Sequence, residues 1–68
     1  MKHYLFVETI SGIEFIVGED SIAAAKEFAL SICKDIALEW NGGADNFNCL
    51  YCGTLTEEEA ESSGLDEY

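Results

Sequence analysis

Two runs at the start of the chain, Tyr4-Leu5-Phe6-Val7-Glu8-Thr9-Ile10 and Ile13-Glu14-Phe15-Ile16-Val17, are rich in aromatic and β-branched residues and fit a pleated, half-buried surface. Ser11-Gly12 stands between them and reads as a two-residue turn, with glycine free to take positive φ. Pairing across that turn sets Ile10 against Ile13, Glu8 against Phe15 and Phe6 against Val17. One face of this hairpin then carries Tyr4, Phe6, Ile10, Ile13, Phe15 and Val17, with Glu8 as its single polar member. Leu5 and Val7 make the first strand apolar on its other face too, as expected of a central strand.

An apolar face of that size must be covered, and the period of the pattern changes at once. Gly18-Glu19-Asp20-Ser21 ends the hairpin and offers Asp20 or Ser21 as a helix N-cap. From about Ser21 to Trp40, the residues Ile22, Ala25, Phe28, Ala29, Ile32, Cys33, Ile36 and Trp40 recur at the i, i+3, i+4 spacing of a core-facing stripe. Glu27, Ser31, Lys34 and Asp35 fall opposite. Leu30 and Leu38 lie off the stripe, where they are partly exposed or meet a partner. Asn41-Gly42-Gly43 stops the helix, because glycine suits the left-handed cap.

Residues 47–55 read as a third strand. Thr56-Glu57-Glu58-Glu59 is a capping box that opens a short helix over about 57–62, and Ser62-Ser63-Gly64 stops it. Leu65-Asp66-Glu67-Tyr68 is a tail that can dock through Leu65 or Tyr68. The order ββαβα predicts an α+β fold: a three-stranded antiparallel sheet in the order 2-1-3, one long helix packed on one face and a short C-terminal helix. Parallel pairing of the third strand with the second is the alternative. Residues 1–68 make a single small domain with an acidic C-terminal helix and tail at 57–68.

The third strand holds the one stretch that resembles named chemistry. Cys49-x-x-Cys52-Gly53 has the spacing of half a zinc site or of a redox dithiol. Alternation along an extended segment puts Phe47, Cys49, Tyr51, Gly53 and Leu55 on one face and Asn48, Leu50, Cys52 and Thr54 on the other. Two sulfurs on opposite faces cannot converge on a metal or on each other. Zinc would also need Cys33 and His3, and Cys33 already belongs to the helix stripe. A thioredoxin-like dithiol sits at a helix N-terminus, and none starts here. Three cysteines fit free, reduced thiols, although zinc binding through Cys49 and Cys52 stays open as an alternative.

Other catalytic arrangements find little support. His3 is the lone histidine and lies near the chain end. Gly42-Gly43 falls at a helix C-terminus, the wrong end for a phosphate. The alternating Asp/Asn loop of a calcium site is missing. Glu8, set in an apolar face, is either a buried functional acid or a glutamate paired with a lysine at the core's edge. The expectation is a non-enzyme without a cofactor.

Charge then narrows the class of partner. Fourteen Asp and Glu face three lysines and no arginine, for a net charge of −11 over 68 residues. That exceeds what solubility requires and opposes direct binding to nucleic acid or to an anionic membrane. Six of the acids (Glu57, Glu58, Glu59, Glu61, Asp66 and Glu67) fall within residues 57–68, which contain no base. Glu19 and Asp20 add a second group at the start of the long helix. Carboxylates on so small a domain lie about 10 Å apart, comparable with the Debye length, so their fields add. These eight are the candidate contacts for a basic surface. No apolar run reaches the length of a membrane span, and Tyr4–Val7 is too short for a signal-peptide core, which points to a cytoplasmic protein.

A tiny, arginine-free, strongly acidic αβ domain ending in Thr56-Glu57-Glu58-Glu59-Ala60-Glu61 and Gly64-Leu65-Asp66 resembles the phage-encoded inhibitors of bacterial defence, above all the anti-CRISPR proteins. That resemblance implies a DNA or RNA mimic acting in the bacterial host cytoplasm. It would block the basic nucleic-acid-binding surface of a CRISPR effector. The alternative is a structural or regulatory module that self-associates, as a homodimer, through a free sheet edge or through Leu30 and Leu38.

Overall fold

A computed structural model describes residues 1–68. The chain forms β1 (Lys2–Glu8), β2 (Ile13–Glu19), α1 (Ile22–Trp40), β3 (Cys49–Leu55) and α2 (Glu57–Ser62). The sheet is antiparallel in the order β2-β1-β3, so the third strand pairs with the first and not with the second.

The hairpin register differs from the expected one by two residues. Phe6 opposes Phe15, Tyr4 opposes Val17, and Glu8 closes the ladder opposite Ile13. The connection is therefore residues 9–12 rather than Ser11-Gly12 alone. Glu8 causes the shift: its carboxylate is satisfied at the end of the ladder by Ile10, Ser11 and more distant donors, which a position opposite Phe15 would deny it. Gly12, at φ 77°, closes the loop by donating its N–H to the Glu8 carbonyl at 2.8 Å. A shift of two preserves side-chain parity, so the apolar face survives. Only Ile10 leaves it, for solvent.

That face builds the core. Tyr4, Phe6, Phe15 and Val17 pack beneath Ala25, Ala29, Ile32 and Cys33 of α1, with Phe6 stacked on Phe15 at 5.8 Å between ring centroids. Apart from Ile32, the buried residues of the helix are small, and Ala37 is fully buried as well. Ile22, Phe28 and Trp40, expected in the stripe, are exposed instead. The dimensions account for the two ends. A helix of 19 residues is ~28 Å long against ~23 Å for strands of seven, so its first and last residues overhang the sheet. Ser21 is the N-cap, its hydroxyl accepting from the Ala24 N–H at 3.2 Å, and Asn41 is the C-cap, followed by Gly42 at φ 85°.

β3 breaks the expected alternation at one point. A bulge separates the pair Phe6–Tyr51 from the pair Leu5–Gly53 and leaves Cys52 unpaired. Beyond it the two faces exchange. Thr54 comes opposite Tyr4, where its hydroxyl bonds the Tyr51 hydroxyl at 2.7 Å, and Gly53 and Leu55 come opposite Leu5 and His3. Gly53 accommodates the kink at φ 126°.

On the face away from α1, Ile16 is fully buried, and α2 packs against β1 and β3 through the buried Ala60. The tail then adds itself to the outer edge of β2 as a short parallel segment, with Glu67 beside Ile16. Three backbone bonds hold it: Ile16 N–H to the Asp66 carbonyl (2.9 Å), Tyr68 N–H to the Ile16 carbonyl and Gly18 N–H to the Tyr68 carbonyl (both 2.8 Å). Tyr68 sets its ring edge-on to Phe15 at 6.0 Å and near Phe28 at 6.3 Å. No helix is long and apolar enough to cross a membrane.

Candidate functional site

The acids of the C-terminal helix are placed by its cap. Thr56 accepts the Glu59 N–H on its hydroxyl at 3.1 Å, and the Glu59 carboxylate accepts the Thr56 N–H at 2.9 Å. These two bonds hold the Glu59 carboxyl below its ordinary range. Glu59 therefore spends its carboxylate on the fold. Glu57, Glu58 and Glu61 stand free and exposed around it.

The remaining four acids gather along β2. The tail bonds bring exposed Asp66 and Glu67 alongside Ile16, three residues before the half-buried Glu19 that ends the strand. Asp20 follows, with a carboxylate oxygen 3.7 Å from the N-terminal ammonium. Glu67 Oε1 lies 3.1 Å from the buried His3 Nδ1, in contact but outside hydrogen-bond geometry. The candidate residues thus form two groups, one on α2 and one at the β2 edge. None of the three lysines makes an ion pair with any of the fourteen acids. Lys26 instead sets its ammonium 5.8 Å from the centre of the Tyr51 ring.

One acid behaves differently from all the others. Glu8 is completely buried, and five donors converge on its two oxygens. Ser11 N–H (2.8 Å), Ser11 hydroxyl (2.7 Å) and the Asn41 side-chain amide (2.8 Å) reach one oxygen. Ile10 N–H (3.2 Å) and Asn48 N–H (3.0 Å) reach the other. Burial by itself would push this carboxyl up, but the bonds from Asn41, Asn48 and Ser11 outweigh it and bring the pKa down to about 2. Glu8 ties the hairpin loop, the end of α1 and the entry to β3 to one point. No lysine approaches it, contrary to one of the two roles expected. A carboxylate this acidic, with both oxygens occupied, is a structural anion and a poor general base. The sequence signalled Glu8 as the polar member of an apolar face but not the amides that meet it.

The cysteines separate. Cys33 is fully buried in the core, and Cys49 packs against that core from the sheet side. Burial pushes both thiols up, with the Glu8 charge nearby adding to the effect. Cys52 lies exposed in the bulge, its Sγ 3.7 Å from the Leu50 carbonyl. No three His, Cys, Asp or Glu side chains gather as a metal ion would require. Nucleophilic reactivity follows thiolate fraction and access. Iodoacetamide should therefore modify Cys52 first in the native protein, Cys49 slowly and Cys33 only on unfolding. Peptide mapping after a timed reaction checks that order, and early labelling of Cys33 would contradict the packing described.

Exposed apolar side chains frame three shallow depressions. One lies between β3 and α1 and is lined by Phe6, Lys26, Leu30, Cys49, Leu50 and Tyr51. A second, at the hairpin end, involves Ile10, Ile13 and Trp40. The third runs from Ile32 and Leu38 to Tyr68. Leu30 and Leu38 are both exposed, consistent with their place off the stripe. The arrangement offers three apolar-edged surfaces for binding. No protein-family model, no curated protein and no solved structure matches the chain.

Proposed function

We propose that the protein is a non-enzymatic binding module that uses its acidic surface to occupy the basic nucleic-acid-binding surface of another protein. The anti-CRISPR type of inhibitor, aimed at a bacterial defence effector, is its nearest description. The observation that carries this reading is the unneutralised charge: fourteen acids, three lysines and no lysine–carboxylate pair. Such a surface raises the local concentration of a cationic partner and speeds encounter, and it competes for the same Lys and Arg side chains that grip a phosphate backbone. Glu57, Glu58, Glu61, Asp66, Glu67, Glu19 and Asp20 are the contacts. Glu59 contributes field while serving the cap.

The test is inhibition of DNA or RNA binding by bacterial CRISPR effectors over a salt series. Reversing Glu57, Glu58 and Glu61 to lysine together, with Glu59 left in place, should slow association on the order of tenfold or more at low salt. Inhibition indifferent to both salt and charge reversal would remove the proposal. Self-association is the competing reading, favoured by the exposed Leu30, Leu38 and Trp40. A charge of −11 on each copy opposes it, and a strict monomer in sedimentation at high salt would exclude it.

A further inference from the structure

β3 is the one strand with an uncovered edge. β1 is central, and the outer side of β2 is bonded to the tail. Unpaired backbone groups along an edge are a template for another strand, which proteins ordinarily guard with lysine, proline or a bulge. Cys49–Leu55 contains no charged residue and no proline. Its single guard is the bulge after Tyr51, which leaves Cys49, Leu50 and Tyr51 in regular pairing. Beside that regular stretch lies the depression between β3 and α1, about 410 Å³, where Lys26 is the only charged residue. Leu30 and Leu50 on its walls are half exposed, at 47% and 51%.

We propose that this edge and depression together seat an extended, basic segment of a partner protein, added to the sheet beside β3 with an apolar side chain in the depression. Charge decides between the possible occupants. Asp45 precedes the strand, and Glu57 and Glu58 follow it. Two copies paired edge to edge and antiparallel would press these groups against each other, on top of −11 per copy. A segment with Lys or Arg on either side of an apolar residue meets acids at both ends instead. Strand addition draws affinity from main-chain bonds and specificity from alternate side chains, and here one set is offered an apolar depression. The inference rests on the acidic-surface reading and adds the place and the conformation of the contact.

The experiment titrates the isotope-labelled full chain at low salt with a short peptide of alternating lysine and valine. A second peptide has the same sequence but is N-methylated on the backbone positions that would face β3. The expected result is slowed amide exchange and shifted resonances at Cys49–Tyr51, with shifts at Leu30. The N-methylated peptide should bind about tenfold more weakly. Leu50→Lys, at an exposed position whose folding circular dichroism verifies, should weaken the first peptide similarly. Equal binding of the two peptides, or unchanged binding by Leu50→Lys, overturns strand addition and leaves the acidic-surface reading standing. Failure of both peptides to bind at low salt overturns both. Protection of β3 that grows with protein concentration alone, with dimers in sedimentation, assigns the edge to a second copy and overturns the proposal.

Discussion

Replacing Glu8 with alanine is expected to leave most of the protein unfolded. The substitution deletes the acceptor for five bonds and strands the Asn41 amide and the Ser11 and Asn48 N–H groups at a closed position. Each orphaned donor costs about 1–3 kcal/mol. A domain of this size has only about 3–5 kcal/mol to lose. Glu8→Gln keeps the shape and one acceptor oxygen but turns an amide NH₂ toward donors, and should cost about 2–3 kcal/mol. Chemical denaturation monitored by circular dichroism measures both.

The same residue sets the acid limb of stability. Its carboxyl titrates at about 2 in the fold against an ordinary 4.5. The contribution is therefore complete above 4.5 and fades as pH falls from there toward 2, by about 3 kcal/mol in all. The exposed acids act in the opposite sense, since their protonation first relieves the repulsion of a −11 chain. Stability should rise modestly from pH 7 to a maximum near pH 4–5 and then collapse. In Glu8→Gln the collapse should be much shallower. A steady decline from pH 7 downward, or a Glu8→Gln variant as stable as the parent at pH 7, would contradict the role assigned to Glu8.

Removing Asp66–Tyr68 should have the next largest effect. Three backbone bonds are lost, at about 0.5–1.5 kcal/mol each, together with the half-buried ring of Tyr68 against Phe15 and Phe28. Deleting two acids returns part of this by easing repulsion, for a net loss of about 2–4 kcal/mol. The truncation also bares the β2 edge, so the protein should associate as its concentration rises. Tyr68→Phe should be nearly neutral, because the hydroxyl makes no hydrogen bond within the protein. Sedimentation and denaturation of the truncated chain decide the matter, and a truncated protein that stays monomeric and fully stable would show the tail to be ornamental.

Local signals in the sequence carried the architecture. The Ser21 and Thr56 caps, the Gly42 stop and the change from strand to helix period each depend on residues within a few positions of one another, and both helices stand where they put them. The strand order followed from chain handedness and the apolar character of β1. Register depended on something else. The donors that hold Glu8 at the hairpin end include Asn41 and Asn48, 33 and 40 residues away, so no local pattern could reveal that the loop spans four residues. The bulge at Cys52 had a weak signal in Gly53, since a glycine inside a strand pattern marks such points. Strict alternation without the bulge puts Gly53, Thr54 and Leu55 on the wrong faces. Trp40 and Ile22 fit the periodicity but overhang a sheet shorter than the helix. Of the candidate surface, the acids themselves were legible from composition. The transfer of Asp66 and Glu67 from the C-terminal group to the one at the β2 edge was not, because it comes from the parallel docking of Glu67 beside Ile16.

That docking also brings the two ends of the chain to one residue. Gly18 donates to the Tyr68 carbonyl, and a β-carbon added to it would meet Met1 Sδ at 3.2 Å and the Tyr68 carbonyl at 3.6 Å. A short peptide joining residue 68 to residue 1 would therefore span a gap that folding already closes. Cyclisation of this kind restricts the unfolded chain while leaving the folded one undisturbed. The same proximity gives a practical handle: a label or fusion attached at either end emerges at this corner of β2, across the sheet from the open edge of β3.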